Sequence, residues 1–415
     1  MKAKLSQNDI FSFLLGFSVF LVSKSVGQVI YLEVAAISFL IIRTIRKTMQ
    51  RQGLAEFRLE RDGKLLISFG FLWFLDQAFS NVYHHTEKLD QLLSLSQILV
   101  LLILVYWSLT WFQEDTKRIL YFTIGYCFSI LPTYFFVPTL YSRSFAWQFL
   151  FGPSITLIIF LKLSLGYFTP LFKLSVIVVL AGLDLLGGSR SLALITLLTA
   201  TALLRRNAVK RRLSTAILLL LVIVGSLFFA ENIYKDLALS GKIGQRQQIK
   251  AQLQYSSGPL LLVGRSEFLY ELASLKENWL VGSGAKPKIT TEILDQTAQF
   301  EVLAGVRHTS TAAYQVYTTT GLLPRHSMLF ASWVEGGLVA LFFWLLLSWK
   351  ILRWVYLSNS STGPFGLLSY YLAVSYFWAL LFSPLGAGSR VSLAFSIGVI
   401  YHQFMVTQEL EWIDE

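Results

Sequence analysis

Long apolar stretches recur along the whole chain, and they limit what it can fold into. A membrane-spanning helix needs about 20 predominantly apolar residues, and about twelve stretches approach that length. The chain of 415 residues is 54% hydrophobic and 14% charged, whereas soluble domains are usually about 25% charged. We therefore predict an all-α, polytopic membrane protein with about twelve transmembrane helices. The apolar stretches are Ile10–Ser23, Val26–Ile42, Leu65–Tyr83, Leu92–Phe112, Ile119–Leu140, Ala146–Phe168, Leu171–Leu186, Ser191–Leu204, Leu213–Ala230, Ser327–Trp349, Phe365–Leu385 and Val391–Val406.

The basic residues indicate how these helices are oriented. Lysine and arginine concentrate in alternate connecting segments, above all residues 43–64 and the block RRNAVKRR at 205–212, while the segments between them carry few. Because basic segments stay on the cytoplasmic side of a membrane, both termini are predicted to be cytoplasmic. The net charge of +11 is interpreted as a topology signal and a contact for anionic membrane lipids, not as a site for nucleic acid.

One connecting segment is far longer than the others. Residues 231–325 follow the ninth apolar stretch, and they are polar with scattered apolar residues. The chain is thus divided into transmembrane helices 1–9 (residues 1–230), this loop, and transmembrane helices 10–12 with a cytoplasmic tail (residues 326–415). With the predicted orientation the loop is extracytoplasmic. Loops longer than about 15 residues are usually functional or disordered, and the mixed charged and aromatic residues favour a functional, helical loop.

Four arginines are predicted to lie on the outer side, where the charge rule disfavours them. Gly188-Ser189-Arg190 opens the eighth stretch and Gly388-Ser389-Arg390 opens the twelfth, while Arg265 and Arg325 belong to the loop. A guanidinium group donates paired hydrogen bonds to phosphate oxygens, and a helix N-terminus also attracts anions. We interpret these four arginines as candidate contacts for a diphosphate; the alternative is that they only reach lipid headgroups.

His326 stands directly after Arg325, and Glu335 follows nine residues later. In a helix Glu335 would lie about two and a half turns deeper, which is too far for a direct pair with the imidazole. We therefore predict that Glu335 is a buried structural acceptor that supports the site. The neighbouring Gly336 and Gly337 are expected to allow close packing of helices.

The sequence offers little for metal or cofactor chemistry. Cys127 is the single cysteine of the chain and there are five histidines, so an intrachain disulfide is excluded and a cysteine metal site is disfavoured. No DxD, HExxH or P-loop pattern occurs. We expect chemistry without a metal, a nucleotide or another cofactor.

Three segments, in this order, resemble the bacterial O-antigen ligase and O-antigen polymerase superfamily, membrane glycosyltransferases of the GT-C type. GGSRSLALITLL at 187–198 is similar to the family's Ser-Arg segment. GRSEFLYELASLKENWLVGSGAKP at 264–287 is similar to its arginine-containing loop helix, and HSMLFASWVEGGLVALFFW at 326–344 to its histidine helix. The likeness covers the C-terminal half. It departs at Ser327, where the family often has Asn, and at Ala340, where Gly is common.

The resemblance implies a glycosyltransferase of cell-surface polysaccharide assembly in the bacterial inner membrane, with its active site facing the periplasm. The donor would be an oligosaccharide on undecaprenyl diphosphate. Arg190 and Arg265 would contact the diphosphate and His326 would activate the acceptor; Arg325 and Arg390 are added from their positions. A flippase and a chain-length regulator are expected partners.

Two chemistries remain open within this resemblance. A polymerase would join lipid-linked repeat units, whereas a ligase would transfer the glycan to lipid A–core. The Trp333-Val334-Glu335 pattern of the histidine helix favours the polymerase.

A small-solute transporter is a more distant alternative. Such proteins have inverted repeats and charges near the bilayer midplane. Glu33, Asp76 and Asp184 are candidate charges of that kind, but the sequence shows no repeat.

Overall fold

The computed structural model describes most of the chain, and the described part is almost entirely α-helical. It covers residues 6–20, 22–23, 29–49, 61–113, 115–136, 145–205, 232–242, 244–256, 267–306, 321–358 and 363–414. A two-stranded antiparallel ribbon, β1 (Val22–Ser23) with β2 (Val29–Ile30), is the sheet found in these ranges. The predicted helical class is therefore confirmed.

The helices fall into three groups along the chain. Those before the loop are α1 (Gln7–Phe17), α2 (Tyr31–Met49), α3 (Arg61–Tyr83), α4 (Lys88–Gln113), α5 (Thr116–Phe128), α6 (Ile130–Phe136), α7 (Gly152–Leu165, preceded by a π-helical turn at Trp147–Phe151), α8 (Pro170–Leu186), α9 (Arg190–Thr199) and α10 (Ala202–Arg205). The loop contains α11 (232–239), α12 (Gln245–Tyr255), α13 (Glu267–Asn278) and α14 (Thr291–Leu303). After the loop come α15 (Met328–Leu357), α16 (Gly366–Phe382) and α17 (Ala387–Asp414).

Within the described residues, four helices are long and apolar enough to cross a membrane: Asp62–Tyr83, Lys88–Gln113, Trp147–Leu165 and Met328–Leu357. Their apolar side chains point both inward, where they form the core, and outward, where large residues stay exposed. An outward apolar surface is what a helix in lipid requires. These features support a helical membrane protein.

Large aromatic side chains form much of the core. Trp73 of α3 packs against Phe343 and Trp344 of α15, with ring centroids 5.1 and 5.7 Å apart. Trp107 of α4 contacts Phe112 and other rings in the same way. Such rings contribute a large apolar contact area together with specific edge and face contacts. They hold α3 against α15, and α4 against α5 and α17 through Phe122 and Phe395.

Polar contacts show which helix ends lie together at each of the two ends of the bundle. At one end Ser327 Oγ, before α15, donates to Leu380 O of α16 at 3.0 Å, and Lys286 of the loop pairs with Asp90 of α4 at 2.5 Å. We call this the loop end. At the opposite end, the far end, Lys350 of α15 pairs with Asp62 of α3 at 2.5 Å. The basic residues Lys117, Arg118, Lys162, Lys173 and Arg353 also belong to helix ends of the far set.

Helix α15 is broken at Gly337, which has φ 68° and ψ −156°. That backbone conformation is open essentially to glycine alone. Gly336 beside it packs closely on α3, since an added Cβ would lie 2.8 Å from Gln77 Oε1. The close packing expected of the glycine pair therefore applies to Gly336, whereas Gly337 interrupts the helix.

Residues 279–286, which we call the inserted segment, fill this break. Ser283 N donates to Val334 O at 2.6 Å, Gly284 N donates to Glu335 O at 3.1 Å, and Leu338 N donates to Leu280 O at 2.9 Å. Backbone groups in an apolar surrounding must find partners within the protein. The loop is therefore bonded into the bundle at this point.

Replacing Gly282 by alanine tests this insertion. Gly282 has φ 81°, and an added Cβ would lie 2.5 Å from Glu335 O, so the variant is expected to lose about 1–3 kcal/mol of stability. Thermal unfolding of the purified protein in detergent measures the loss. Gly182→Ala in α8, where nothing lies within 4 Å, is the control. Equal unfolding temperatures for the two variants would contradict the insertion.

Candidate active site

His326 lies at the loop end, directly before the first turn of α15. Ser327 caps that helix, because its Oγ accepts a hydrogen bond from Phe330 N at 3.1 Å. The His326 side chain is 40% exposed. An imidazole with this exposure can meet a substrate while its backbone stays fixed to the bundle.

Two acidic side chains of α13 face His326. Glu267 Oε1 lies 3.9 Å from His326 Nε2. Glu271 Oε1 accepts hydrogen bonds from the backbone N–H of His326 at 2.8 Å and of Ser327 at 3.2 Å. Residues four apart in a helix share a face, so one face of α13 contacts both the ring and the backbone of His326.

Glu271 is completely buried. The pKa of its carboxyl group is raised to about 8, chiefly by burial; the two backbone hydrogen bonds act to lower this pKa, and the negative charges of Glu335 and Glu267 act to raise it. Glu271 Oε2 has no hydrogen-bond partner among the described residues. A proton on this oxygen agrees with the raised pKa.

Arg325 and Glu335 form an ion pair beside His326. Arg325 Nη1 donates to Glu335 Oε1 at 2.5 Å, and the same oxygen accepts from Lys286 N of the inserted segment at 3.2 Å. The carboxylate of Glu335 raises the pKa of Arg325. Glu335 is thus a buried acceptor whose partner is Arg325 and not His326. Arg325, predicted as a diphosphate contact, is held by this carboxylate and remains one-third exposed.

Arg390, in the first turn of α17, is bound inside the protein. Its Nε and Nη2 donate to Glu33 Oε1 of α2 at 3.0 and 2.7 Å, and both residues are buried. A buried charge is stable only when it is paired. The pair therefore explains the position of Arg390 without a phosphate ligand.

Arg190 is the first residue of α9, after a turn in which Gly188 has φ 80°. Its guanidinium carbon lies 5.1 Å from the centre of the Tyr234 ring. Tyr234 belongs to α11, and its hydroxyl donates to Gln247 of α12 at 3.1 Å. The first two loop helices therefore lie over the Gly188-Ser189-Arg190 turn.

Asp184 lies in the last turn of α8, directly before this turn, and joins α8 to α7 and α9. It is completely buried, and its carboxylate accepts from Trp147 Nε1 at 3.2 Å and from Thr156 and Thr196 hydroxyls at 3.4 Å each. Of the three charges considered for a transporter, Asp184 and Glu33 thus have partners within the protein. Asp76 is half-buried in α3.

The structure brings some predicted site residues to one end of the bundle but not into one cluster. Arg190, Arg325, His326 and Arg390 all lie at the loop end. The three arginines have separate partners there, namely Tyr234, Glu335 and Glu33. Arg265 lies outside the described residues, so its predicted diphosphate contact stays a prediction.

A cavity of about 120 Å³ lies at the loop end between α7, α16 and α17. Met328, two residues after His326, contributes to its wall. Tyr371, Ser375, Ser389 and Ser392 are also among the residues that line it. The cavity provides space inside the bundle next to the helix that carries His326.

Sequence reasoning missed Glu271 and did not place Glu267 against the imidazole of His326. A signal was present, since Glu271 lies on the apolar face of α13, beside the buried residues Leu269, Tyr270 and Ala273. A carboxylate on the buried face of an amphipathic helix needs a hydrogen-bond partner. The identity of that partner is set by the fold.

A search of protein-family models and of curated proteins finds no match to this chain. Within the described ranges, no group of three or more His, Cys, Asp and Glu side chains is placed to hold a metal ion. The candidate site is therefore defined by its geometry.

The Glu33–Arg390 pair predicts a double-mutant result. Glu33→Leu alone is expected to destabilise the protein by about 3–5 kcal/mol, because Arg390 then loses its buried carboxylate partner. Glu33→Leu combined with Arg390→Met is expected to recover most of this loss in thermal unfolding. Lys242→Met, at an exposed loop lysine, is the matched control. Additive losses in the double variant would contradict the pairing.

The raised pKa of Glu271 predicts a pH-dependent stability. An acid with a pKa raised from 4.5 to about 8 on folding stabilises the fold fully below pH 4.5, and this contribution is lost as the pH rises through 8. The free energy of unfolding is expected to be on the order of 2 kcal/mol higher at pH 6 than at pH 9 because of this group, and thermal unfolding at the two pH values measures the difference. Glu271→Gln, which mimics the protonated acid, is expected to remove that difference. Glu292→Gln, at an exposed glutamate, is the control and is expected to keep the pH difference. An unchanged pH difference in Glu271→Gln would contradict the raised pKa of Glu271.

Proposed function

We propose that this protein is a membrane glycosyltransferase of cell-surface polysaccharide assembly that takes its glycan from undecaprenyl diphosphate. The observation that supports this most is His326, a half-exposed imidazole with Glu267 facing its Nε2 at 3.9 Å. A histidine so placed can accept a proton from a sugar hydroxyl. Arg325 beside it and Arg190 at the same end supply positive charge for an anionic donor.

The proposal includes the membrane arrangement. About twelve spanning helices cross the bacterial inner membrane, the termini are cytoplasmic, and the loop of residues 231–325 covers the periplasmic face. The basic residues at the far end of the bundle support this orientation, because positive charge stays on the cytoplasmic side. The loop end, with His326, then faces the periplasm, where flipped lipid-linked glycans are available.

The proposed reaction transfers the glycan from a diphosphate to a hydroxyl group. The acceptor oxygen forms a bond to the anomeric carbon, the bond from that carbon to the diphosphate oxygen breaks, and His326 takes the hydroxyl proton. Undecaprenyl diphosphate leaves with the electron pair of the broken bond. Arg190 and Arg265 are proposed to stabilise its negative charge by paired hydrogen bonds, so that no metal or cofactor is required.

Arg325 and Arg390 have different places in this proposal. Arg325 keeps an exposed edge beside His326 and contributes to diphosphate binding while Glu335 holds it. Arg390 is buried against Glu33, which favours a structural part. The stable Glu33→Leu/Arg390→Met protein separates the two roles, because a donor contact at Arg390 would leave that protein folded but inactive.

The acceptor distinguishes a polymerase from a ligase. We propose the polymerase, in which the acceptor is a second lipid-linked repeat unit, with the ligase, which uses lipid A–core, as the alternative. Chain-length regulators and a flippase are the proposed partners of the polymerase. Offering the purified protein each acceptor in turn tells the two activities apart.

Replacing His326 tests the proposed base. Both His326→Ala and His326→Asn are expected to lower transfer by roughly 10²–10⁴-fold, because neither side chain can take the proton. The assay uses purified protein, lipid-diphosphate glycan and the lipid-linked acceptor, with and without EDTA. His308→Ala, at another histidine of the loop, is the control and is expected to stay active.

Two outcomes would contradict the proposal. Wild-type turnover in His326→Asn would show that His326 is not the base. Loss of activity in EDTA would show that the reaction needs a metal ion.

A further inference from the structure

We propose that α13 positions His326 for catalysis through two acidic side chains, Glu271 at its backbone and Glu267 at its ring. This inference rests on the proposed function, since it assigns positioning residues to the same reaction. It goes further in making a helix of the extracytoplasmic loop, and not α15 itself, responsible for the placement of the base.

Glu271 binds the backbone of the two residues that precede α15. Glu271 is completely buried, and one of its oxygens binds the N–H groups of His326 at 2.8 Å and Ser327 at 3.2 Å. These two residues precede the first turn of α15, where the helix provides them with no acceptor of its own. The side chain of Glu271 therefore fixes the point from which the imidazole projects.

Helix α13 is itself held firmly against the bundle. Its Tyr270 and Ala273 pack with Leu323 and with Val334 of α15 in one buried cluster. The inserted segment, which directly follows α13, is hydrogen-bonded into the break of α15 at Gly337. Because α13 is held along its buried face and at its C-terminal end, Glu267 and Glu271 keep fixed positions relative to the bundle.

The charged side chains around the His326 ring have different partners. Arg325 precedes His326, but its charge is paired with Glu335 at 2.5 Å. From α13, Glu271 binds the backbone of His326, while Glu267 lies 3.9 Å from Nε2. Glu267 is thus the carboxylate that faces the ring, and its negative charge stabilises the imidazolium that forms when His326 takes a proton.

The test measures kcat and KM of purified full-length protein for lipid-diphosphate glycan. Glu271→Leu is expected to lower kcat by roughly 100-fold, as small displacements of a catalytic group do, and Glu271→Gln, which keeps an acceptor oxygen, is expected to recover much of it. Glu267→Gln is expected to lower kcat by roughly 10-fold or more with an unchanged KM. Glu292→Gln, which removes the same charge from the first turn of α14, is the control.

Amide hydrogen exchange gives a readout that does not depend on activity. The N–H groups of His326 and Ser327 are expected to be protected in the wild type and in Glu271→Gln, and to exchange faster in Glu271→Leu. Unchanged protection in Glu271→Leu would overturn the backbone contact.

The outcomes separate this inference from the proposed function. If His326→Ala keeps its activity, the proposed function fails, whatever α13 does. If His326→Ala is inactive but Glu267→Gln and Glu271→Leu keep the wild-type kcat, the function stands and the positioning role is overturned. Should Glu271→Leu fail to fold, Glu267→Gln decides, because Glu267 is partly exposed and its replacement leaves the buried contacts intact.

Discussion

The break of α15 at Gly337 is the constraint on which the arrangement of the loop end depends. A helix that opens inside an apolar bundle exposes N–H and C=O groups that must be satisfied within the protein. The inserted segment supplies those partners through Leu280, Ser283 and Gly284. The inserted segment is thus fixed to the bundle at the break. It carries α13 against the start of α15, and the surroundings of His326 follow from that contact.

Charges inside the bundle are stabilised by ion pairs that join one structural element to another. Asp62–Lys350, Glu33–Arg390 and Glu335–Arg325 each join two helices or a helix and the loop. Because removal of an ion from water is costly, such pairs require good geometry and further hydrogen bonds. An arginine at the loop end can therefore be explained by a carboxylate partner, and exposure separates Arg325, which is one-third exposed, from the buried Arg390.

The sequence predicts the parts of this molecule that depend on local pattern. Apolar runs predict the helices, and the loop, predicted to be helical, contains α11 to α14. Contacts between distant segments could not be predicted from the sequence. Gly336-Gly337 has the pattern of a helix-packing pair, but the break of α15 at Gly337 depends on its contacts with residues 279–286. Arg390 was separated from Glu33 by 357 positions, so the two could not be paired by spacing. The roles of Glu267 and Glu271 depend on the contact between α13 and His326, which the fold sets and the local sequence does not show.

The central claim is that His326, held by α13, is the base of a site that receives a lipid diphosphate at the loop end. The most direct measurement is a cryo-electron microscopy structure of the protein in a lipid nanodisc with an undecaprenyl-diphosphate glycan. Diphosphate density is expected at the loop end beside Arg190, with the first sugar facing the imidazole of His326. Density for the diphosphate at the far end, or at the loop end with the sugar directed away from His326, would contradict it.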